Sequence, residues 1–168
     1  MVTALARARS AAESVHDPEL PMMTLADLGV LRGVELDGER VRVAIAPTYS
    51  GCPAVAEMRA DVMARLHAEG FRNVEVRVEL DPPWHTSDIT EHGRAVLAEH
   101  GIAPPGTVRR PVALHLGMPQ LGVRLDSPQC PQCGSADTEV VSAFGPTPCM
   151  ALCRCRVCRE TFEHMKAI

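Results

Sequence analysis

Two Cys-x2-Cys pairs constrain the fold of this chain more than any other feature of its sequence. Cys130-Pro-Gln-Cys133 and Cys155-Arg-Val-Cys158 are separated by 21 residues. This spacing is typical of two tight turns that offer four thiolates to one tetrahedral zinc ion, at Zn–S distances of about 2.3 Å. The sequence therefore predicts a structural Zn2+ site, because four thiolates fill the coordination shell and leave no position for a catalytic water.

The distribution of cysteines separates the C-terminal segment from the rest of the chain. Six of the seven cysteines follow residue 129, and Cys52 is the exception. A segment of about 40 residues cannot bury enough apolar surface to fold alone without a disulfide, a metal or a partner. The start of the chain shows no secretory signal and no segment is apolar enough to span a membrane, so we expect a cytoplasmic protein whose paired cysteines bind metal.

Two alternatives to this zinc site remain open at this point. The four cysteines could be ordinary thiols without a metal, and Cys149 or Cys153 could take the place of a ligand. Since only the 155/158 pair repeats the spacing of the first pair, we predict that Cys149 and Cys153 are not ligands.

The C-terminal segment could instead read nucleic acid. Arg154, Arg156 and Arg159 make the second cysteine pair locally basic, and Phe162 is the one aromatic residue near them. The formal net charge of the whole chain is -4, and base stacking normally uses several aromatic side chains. We therefore expect solvated arginines and no nucleic-acid partner.

The first hundred residues show alternating helical and strand patterns. Apolar residues recur at helical spacing or in alternation. The predicted elements, in order, are a helix over 3–16, strands over 30–36 and 39–47 joined by a hairpin at Asp37-Gly38, a helix over 53–70, a strand over 73–80, and a helix capped by Ser87.

This order predicts an α+β fold, α-β-β-α-β-α, with a small mixed three-stranded sheet followed by a zinc ribbon. Strand, helix and strand from 40 to 80 form a crossover with parallel strands. The predicted domains are residues 1–102, a Pro/Gly-rich linker over 103–127, and a four-cysteine zinc ribbon over 128–168, with ribbon strands in DTEVVSAF and CMALCRC.

Cys52 lies in a loop, Thr48-Tyr49-Ser50-Gly51-Cys52-Pro53, where a predicted strand ends and a helix begins. The N-terminus of a helix stabilises a thiolate, which predicts enhanced nucleophilicity or metal affinity. Asp17 and Glu19 are acidic residues that could share such a site. The alternative is that Cys52 is a small buried apolar residue and that Asp17 merely ends a helix. A thiol enzyme would need a base, for which His16 is the nearest candidate in sequence.

The segments DPELPMMTLADLGVLRGVEL and PTYSGCPA resemble the small iron–sulfur assembly domain of SufT-like and cytosolic iron–sulfur targeting proteins, over residues 5–100. The resemblance implies a functional patch formed by the Asp-Pro-Glu turn and the Thr-x-x-x-Cys-Pro loop. On this chain the patch corresponds to Asp17, Glu19, Thr48 and Cys52.

With DPPWHTSDITEHGRAVLAEHGIAPP and the cysteine-rich segment added, nearly the whole chain resembles the PaaD family, the D component of the bacterial phenylacetyl-CoA epoxidase system. The resemblance implies a non-enzymatic accessory protein of this monooxygenase. Its implied partners are the diiron oxygenase subunits and the reductase, and its implied cofactors are structural zinc and a transient iron or iron–sulfur cluster at Cys52. A homodimer could join two copies of Cys52. The alternative function is a permanent structural or regulatory subunit.

Overall fold

The first element is a helix whose start is fixed by a threonine cap. The computed structural model describes residues 3–106 and 128–167, and helix α1 covers Ala4–Glu13. The Thr3 hydroxyl accepts the backbone N–H of Ala6 at 3.2 Å, which satisfies one donor of the first turn. The helix buries small side chains, Ala8 and Ala12 among them, so it can pack closely against its neighbours.

A hairpin follows, and its turn needs a glycine. Strand β1 (Leu31–Asp37) pairs antiparallel with β2 (Arg40–Ile45), so the loop consists of Gly38 and Glu39. Gly38 has a φ of 61°, in the left-handed region that tight hairpin loops require. Along β2 the alternating residues Val41, Val43 and Ile45 are at most 1% exposed and form its core-facing side.

A parallel crossover completes the first sheet. Helix α2 (Val55–Ala68) is followed by Gly70, with a φ of 91°, and by strand β3 (Asn73–Val78). Strand β3 pairs in parallel with β2, and the strand order is β1-β2-β3. The predicted mixed three-stranded sheet and its α+β context are confirmed.

The alternating apolar residues of β3 are not all buried. Val76 is 4% exposed, whereas Val78 is 37% and Leu80 is 54% exposed. Alternation predicts which side chains share a face, but β3 is the outermost strand of the sheet, and burial there depends on whether anything covers the edge.

The third helix begins later than predicted. Thr86–Asp88 forms a short 3-10 helix, and α3 covers Glu91–Glu99 with Thr90 as its cap, not Ser87. Gly93 is buried within α3, where an added Cβ would lie 2.7 Å from the backbone oxygen of Asp27. The absence of a side chain at Gly93 therefore allows α3 to pack closely against the backbone of Asp27.

Trp84 anchors the chain before α3. It is buried, and its indole N–H donates to the carbonyl of Leu28 at 2.8 Å. This contact gives the only tryptophan of the sequence a structural role.

The chain divides into two compact units between His100 and Gly101. The second contains a four-stranded sheet in the order β4-β7-β6-β5. Its strands are β4 (Ile102–Ala103), β5 (Thr138–Ser142), β6 (Met150–Cys155) and β7 (Thr161–Met165). The two predicted ribbon strands are confirmed as β5 and β6.

Strands β4 and β7 were not predicted. Ala103, placed in the predicted linker, pairs with His164 of β7 instead. A two-residue strand carries too short a pattern to be recognised, and it forms because β7 offers an open edge. Residues 107–127, the main part of the predicted linker, lie outside the described residues.

Candidate metal centre and the Cys52 loop

The first cysteine pair lies on a turn that closes through its own backbone. The N–H of Gly134 donates to the carbonyl of Cys130 at 2.8 Å, and the N–H of Cys130 donates to the carbonyl of Ser135 at 2.9 Å. Gly134 has a φ of 72°, which a residue without a Cβ adopts readily. The turn brings Cys130 and Cys133 to the same side of the chain.

The second pair repeats this turn 25 residues later. The N–H of Cys155 donates to the carbonyl of Glu160 at 2.9 Å, the same offset that joins Cys130 to Ser135. Arg159 has a φ of 64° and occupies the place of the glycine in the first turn. Two similar turns therefore face one another, as a four-thiolate site requires.

The four sulfurs converge. The Sγ atoms of Cys130 and Cys158 are 3.7 Å apart, those of Cys133 and Cys155 are 3.6 Å apart, and all four lie within 4.8 Å of one another. A tetrahedron with Zn–S distances of about 2.3 Å has edges of about 3.8 Å. A disulfide needs about 2.05 Å, so the spacing fits a shared metal ion and not two bridges.

The electrostatics of the group also favour a cation. The backbone N–H of Cys158 donates to the sulfur of Cys155 and lowers its pKa. Burial opposes this effect and the N–H of Val157 adds to it, so that the pKa of Cys155 falls to about 6. The N–H of Glu160 donates to the sulfur of Cys158 and lowers its pKa. Burial and the neighbouring sulfurs outweigh this hydrogen bond, so that the pKa of Cys158 rises to about 12. Four thiolates this close need a divalent cation between them, and zinc would supply structural cross-linking rather than chemistry.

Cys153 and Cys149 stay outside this four-sulfur group. Cys153 is fully buried in a cluster with Ala103 and Phe162, and burial raises the pKa of its thiol. The sulfur of Cys149 lies 3.1 Å from the hydroxyl oxygen of Thr147. Cys153 thus contributes packing behind the sulfurs.

The basic residues of the second turn are engaged in part. Arg156 pairs with Glu139 at 2.9 Å and lies 3.8 Å from Asp137. Phe162, the aromatic residue expected to stack on a base if the ribbon bound nucleic acid, is 5% exposed. A buried ring cannot serve as a stacking platform, which weakens this alternative.

The Cys52 loop leads directly into α2. Cys52 is 9% exposed, its N–H donates to the carbonyl of Tyr49 at 3.2 Å, and its own carbonyl accepts the N–H of Val55 at 3.4 Å. The helix begins at Val55, two residues later than predicted, and its cap position, Ala54, offers no side-chain acceptor. The thiol therefore precedes a helix start whose N-cap residue contributes no side-chain hydrogen bond.

Asp17 is buried and organises the turn that the resemblance assigns to the same patch. Its Oδ1 accepts the N–H groups of Glu19 at 2.9 Å and Leu20 at 2.8 Å. Burial raises the pKa of Asp17, and the charge of Glu57 adds to this effect, although the two N–H groups oppose it. Partial burial and the charge of Asp17 also raise the pKa of Glu19.

Glu57 connects the two loops electrostatically. It lies in the first turn of α2, five residues after Cys52, and its charge acts on Asp17. Glu57 could not be predicted from the sequence, since its place in the first turn of α2 is its only local signal. Within the described residues, three or more potential metal ligands converge on one point at the four ribbon cysteines and nowhere else. Cys52, Asp17 and Glu19 do not form a preformed metal cage.

Thr48 lines a small cleft beside the Cys52 loop. The cleft has a volume of about 240 Å³, and Ser50, Leu80 and Trp84 also line it.

His16, the candidate base, has its Nδ1 2.8 Å from the carbonyl oxygen of Pro21, to which it donates. The described part of the structure contains no helix long and apolar enough to cross a membrane.

Comparison with known proteins assigns a family to each half of the chain. Residues 5–82 match the family model for "Iron-sulfur cluster assembly protein", and residues 121–166 match the model for "PaaD zinc beta ribbon domain". The four converging cysteines fall within the second match. The second match supports the zinc ribbon in addition to the sulfur geometry.

One relative spans both halves. The chain is 38% identical over 154 residues to a component of the "Putative 1,2-phenylacetyl-CoA epoxidase" of Escherichia coli strain K12, covering 92% of this chain and 87% of the relative. Among solved structures, a domain of unknown function, DUF59, from Bacillus anthracis has a TM-score of 0.51 and 25% identity, and the match covers 55% of this chain and 90% of that domain.

Proposed function

The chain belongs to the PaaD family, and from this premise we propose that it is a non-catalytic maturation factor for a phenylacetyl-CoA epoxidase. In this proposal Cys52 transiently carries iron or an iron–sulfur cluster as cargo, and the zinc ribbon docks an epoxidase component. The observation that carries it is the Cys52 loop, where one thiol directly precedes the start of α2 within a domain that matches iron–sulfur assembly proteins.

The acidic turn supports the same role. A buried carboxylate whose pKa is raised, with a second acidic side chain acting on it, is an arrangement found more often at functional sites than in ordinary cores. A cation arriving near Asp17 and Glu57 would relieve their repulsion. We therefore assign Asp17 and Glu19, with Glu57 added, to cargo handling around Cys52.

One chain cannot hold a cluster at Cys52 alone. Cluster iron normally takes four protein thiolates, and in the described residues the other converging thiols belong to the ribbon. The missing ligands would come from the recipient protein, which suits a factor that transfers its cargo rather than retains it.

The test is to purify the epoxidase from cells that carry Cys52→Ser and to measure iron content and turnover. Serine keeps the size of the side chain and removes the soft thiolate ligand. Ser50→Ala, in the same loop, is the matched control. We expect iron-deficient, slow epoxidase with Cys52→Ser and normal epoxidase with the control. Normal metal content with Cys52→Ser would contradict the proposal.

A second candidate function is a permanent structural or regulatory subunit, which the name of the Escherichia coli relative favours, since it describes a part of the epoxidase. It predicts that the protein stays bound to the purified oxygenase in a fixed ratio, whether or not Cys52 is present. It also predicts that removal of residues 128–168 abolishes the complex. Size-exclusion chromatography of the mixed components, with quantification of each chain, distinguishes this function from a transient one.

A further inference from the structure

The outer edge of strand β3 is open in the described part of the chain. The sheet order is β1-β2-β3, so β3 has a partner strand on one side. The N–H of Glu79 donates to the carbonyl of Ile45 at 2.9 Å. Because backbone groups alternate in direction along a strand, the N–H and C=O groups of Val74, Val76 and Val78 point away from β2, toward the open edge.

The side chains at this edge alternate in a regular way. The valines share the core-facing side, and the last of them, Val78, is 37% exposed. On the other side, Glu75 and Arg77 form an ion pair at 2.7 Å, and Glu79 follows with the opposite charge to Arg77. Open edges are normally protected by charged side chains, by proline or by a covering segment. Here the charges alternate in sign, so a second copy of the strand can place opposite charges against them.

We propose that β3 pairs antiparallel with β3 of a second copy of this chain, with Val76 opposite the partner's Val76. In this register Glu75 lies opposite the partner's Arg77, and Arg77 lies opposite the partner's Glu75. Val74 lies opposite the partner's Val78, so the exposed valine gains an apolar neighbour. The surface is self-complementary, as a two-fold interface requires.

The charges and one proline disfavour the two registers that are shifted toward the C-terminal end of β3. Centring the pair on Arg77 places that residue opposite the partner's Arg77 and places Glu75 opposite the partner's Glu79, so like charges meet. Centring it on Val78 places Val74 opposite the partner's Pro82, which has no N–H to donate. The register centred on Val76 pairs every outward N–H and C=O group of the strand.

This dimer keeps the two Cys52 loops apart. The C-terminal ends of the two β2 strands, from which the loops begin, lie on opposite sides of the two-fold axis, roughly 20 Å from each other by standard strand spacings. A homodimer of this kind does not bring two copies of Cys52 to one cluster. The inference stands whether or not Cys52 handles iron.

The test uses two opposite charge reversals in the full chain. In a pair of Arg77→Glu chains, the acidic residues at positions 75 and 77 of one copy face acidic residues of the other. In a pair of Glu75→Arg chains, basic residues face one another in the same way. We expect the wild-type chain to sediment as a dimer in analytical ultracentrifugation, each variant to fall to the monomer mass, and an equimolar mixture of the two to recover the dimer mass. Arg9→Glu, an exposed reversal on α1, is the matched control and should remain dimeric.

Recovery on mixing also shows that both variants are folded, since two misfolded chains would not restore each other. Val78→Pro tests the backbone separately, because it removes an outward N–H that β2 does not use, and it should give monomers. A wild-type chain that stays monomeric over the concentration series would overturn the proposal. So would single reversals that remain dimeric, or a mixture that stays monomeric while circular dichroism shows both variants folded.

Discussion

The zinc ribbon and the Cys52 loop hold cysteine in opposite ways. In the ribbon, four sulfurs lie within 4.8 Å of one another and two similar turns direct them to one point. In the first unit, one thiol lies at the end of a loop, and the acidic residues assigned to the same patch form no cage with it. The ribbon is therefore organised for permanent retention of metal, and the loop, in our proposal, for brief contact with it.

The largest expected effect is the loss of bound zinc, which distinguishes the ribbon cysteines from Cys52. Cys133→Ala should lose the metal and unfold the ribbon, because apparent zinc-binding free energies of about 10–16 kcal/mol are available only to a complete site. Cys52→Ala should keep about one zinc per chain. Elemental analysis with amide hydrogen exchange measures both, and zinc loss in Cys52→Ala would break the comparison.

The next effect concerns a unit that is held by packing and not by metal. Gly93→Ala places a Cβ 2.7 Å from the backbone oxygen of Asp27, and such overpacking costs about 1–3 kcal/mol. Helix propensity alone favours alanine by about 1 kcal/mol, so the sign of the change tests the packing argument. Urea unfolding monitored at Trp84 is the measurement.

Gly33→Ala is the control for this change, since an added Cβ there meets no atom within 4 Å. It should alter stability far less, and both variants should retain zinc. Stabilisation by Gly93→Ala would show that α3 can move away from Asp27.

A smaller effect tests the buried carboxylate. Because the pKa of Asp17 is raised by burial, its contribution to stability is greatest below the unfolded pKa and is lost as pH rises through the folded value. Asp17→Asn keeps an acceptor for the N–H groups of Glu19 and Leu20 and removes the charge. We expect a higher urea midpoint than wild type at pH 7, with the gain disappearing in acid. A lower midpoint at neutral pH would contradict this assignment.

Asp27 provides the contrast of opposite sign. Burial would raise its pKa, but hydrogen bonds from Thr24, His92 and Thr90 lower it overall. Its stabilisation is therefore present above the unfolded pKa and lost as pH falls through the folded value. Asp27→Asn should be destabilising at pH 7 in the same assay.

The smallest expected effect lies within the ribbon. Arg159 has a φ of 64° where the first turn has a glycine. Relief of the left-handed conformation is worth about 1–2 kcal/mol, and greater freedom of glycine in the unfolded chain offsets about 0.5–1 kcal/mol of it. Arg159→Gly should therefore slow zinc release to a chelator modestly. Arg154→Gly, within β6, should accelerate it.

Most of the fold could be predicted from local patterns in the sequence. The paired cysteines and the alternation of Val41, Val43 and Ile45 depend on near neighbours, so spacing alone predicted their roles. The misses were set by distant partners. Thr90, whose hydroxyl donates to Asp27 across the fold, caps α3 in place of Ser87. Ala103 joined β7 through a pairing across sixty residues. Glu57 was missed because its link to Asp17 crosses two loops.

The pairing of β4 with β7 also imposes an order in time. Ile102 and Ala103 leave the ribosome soon after the first unit, about sixty residues before Glu163 and His164, with which they pair. The first unit can complete its sheet during synthesis, whereas β4 must wait for the last strand of the ribbon. The metal centre likewise cannot form before Cys158, the last of its four cysteines, has been synthesised.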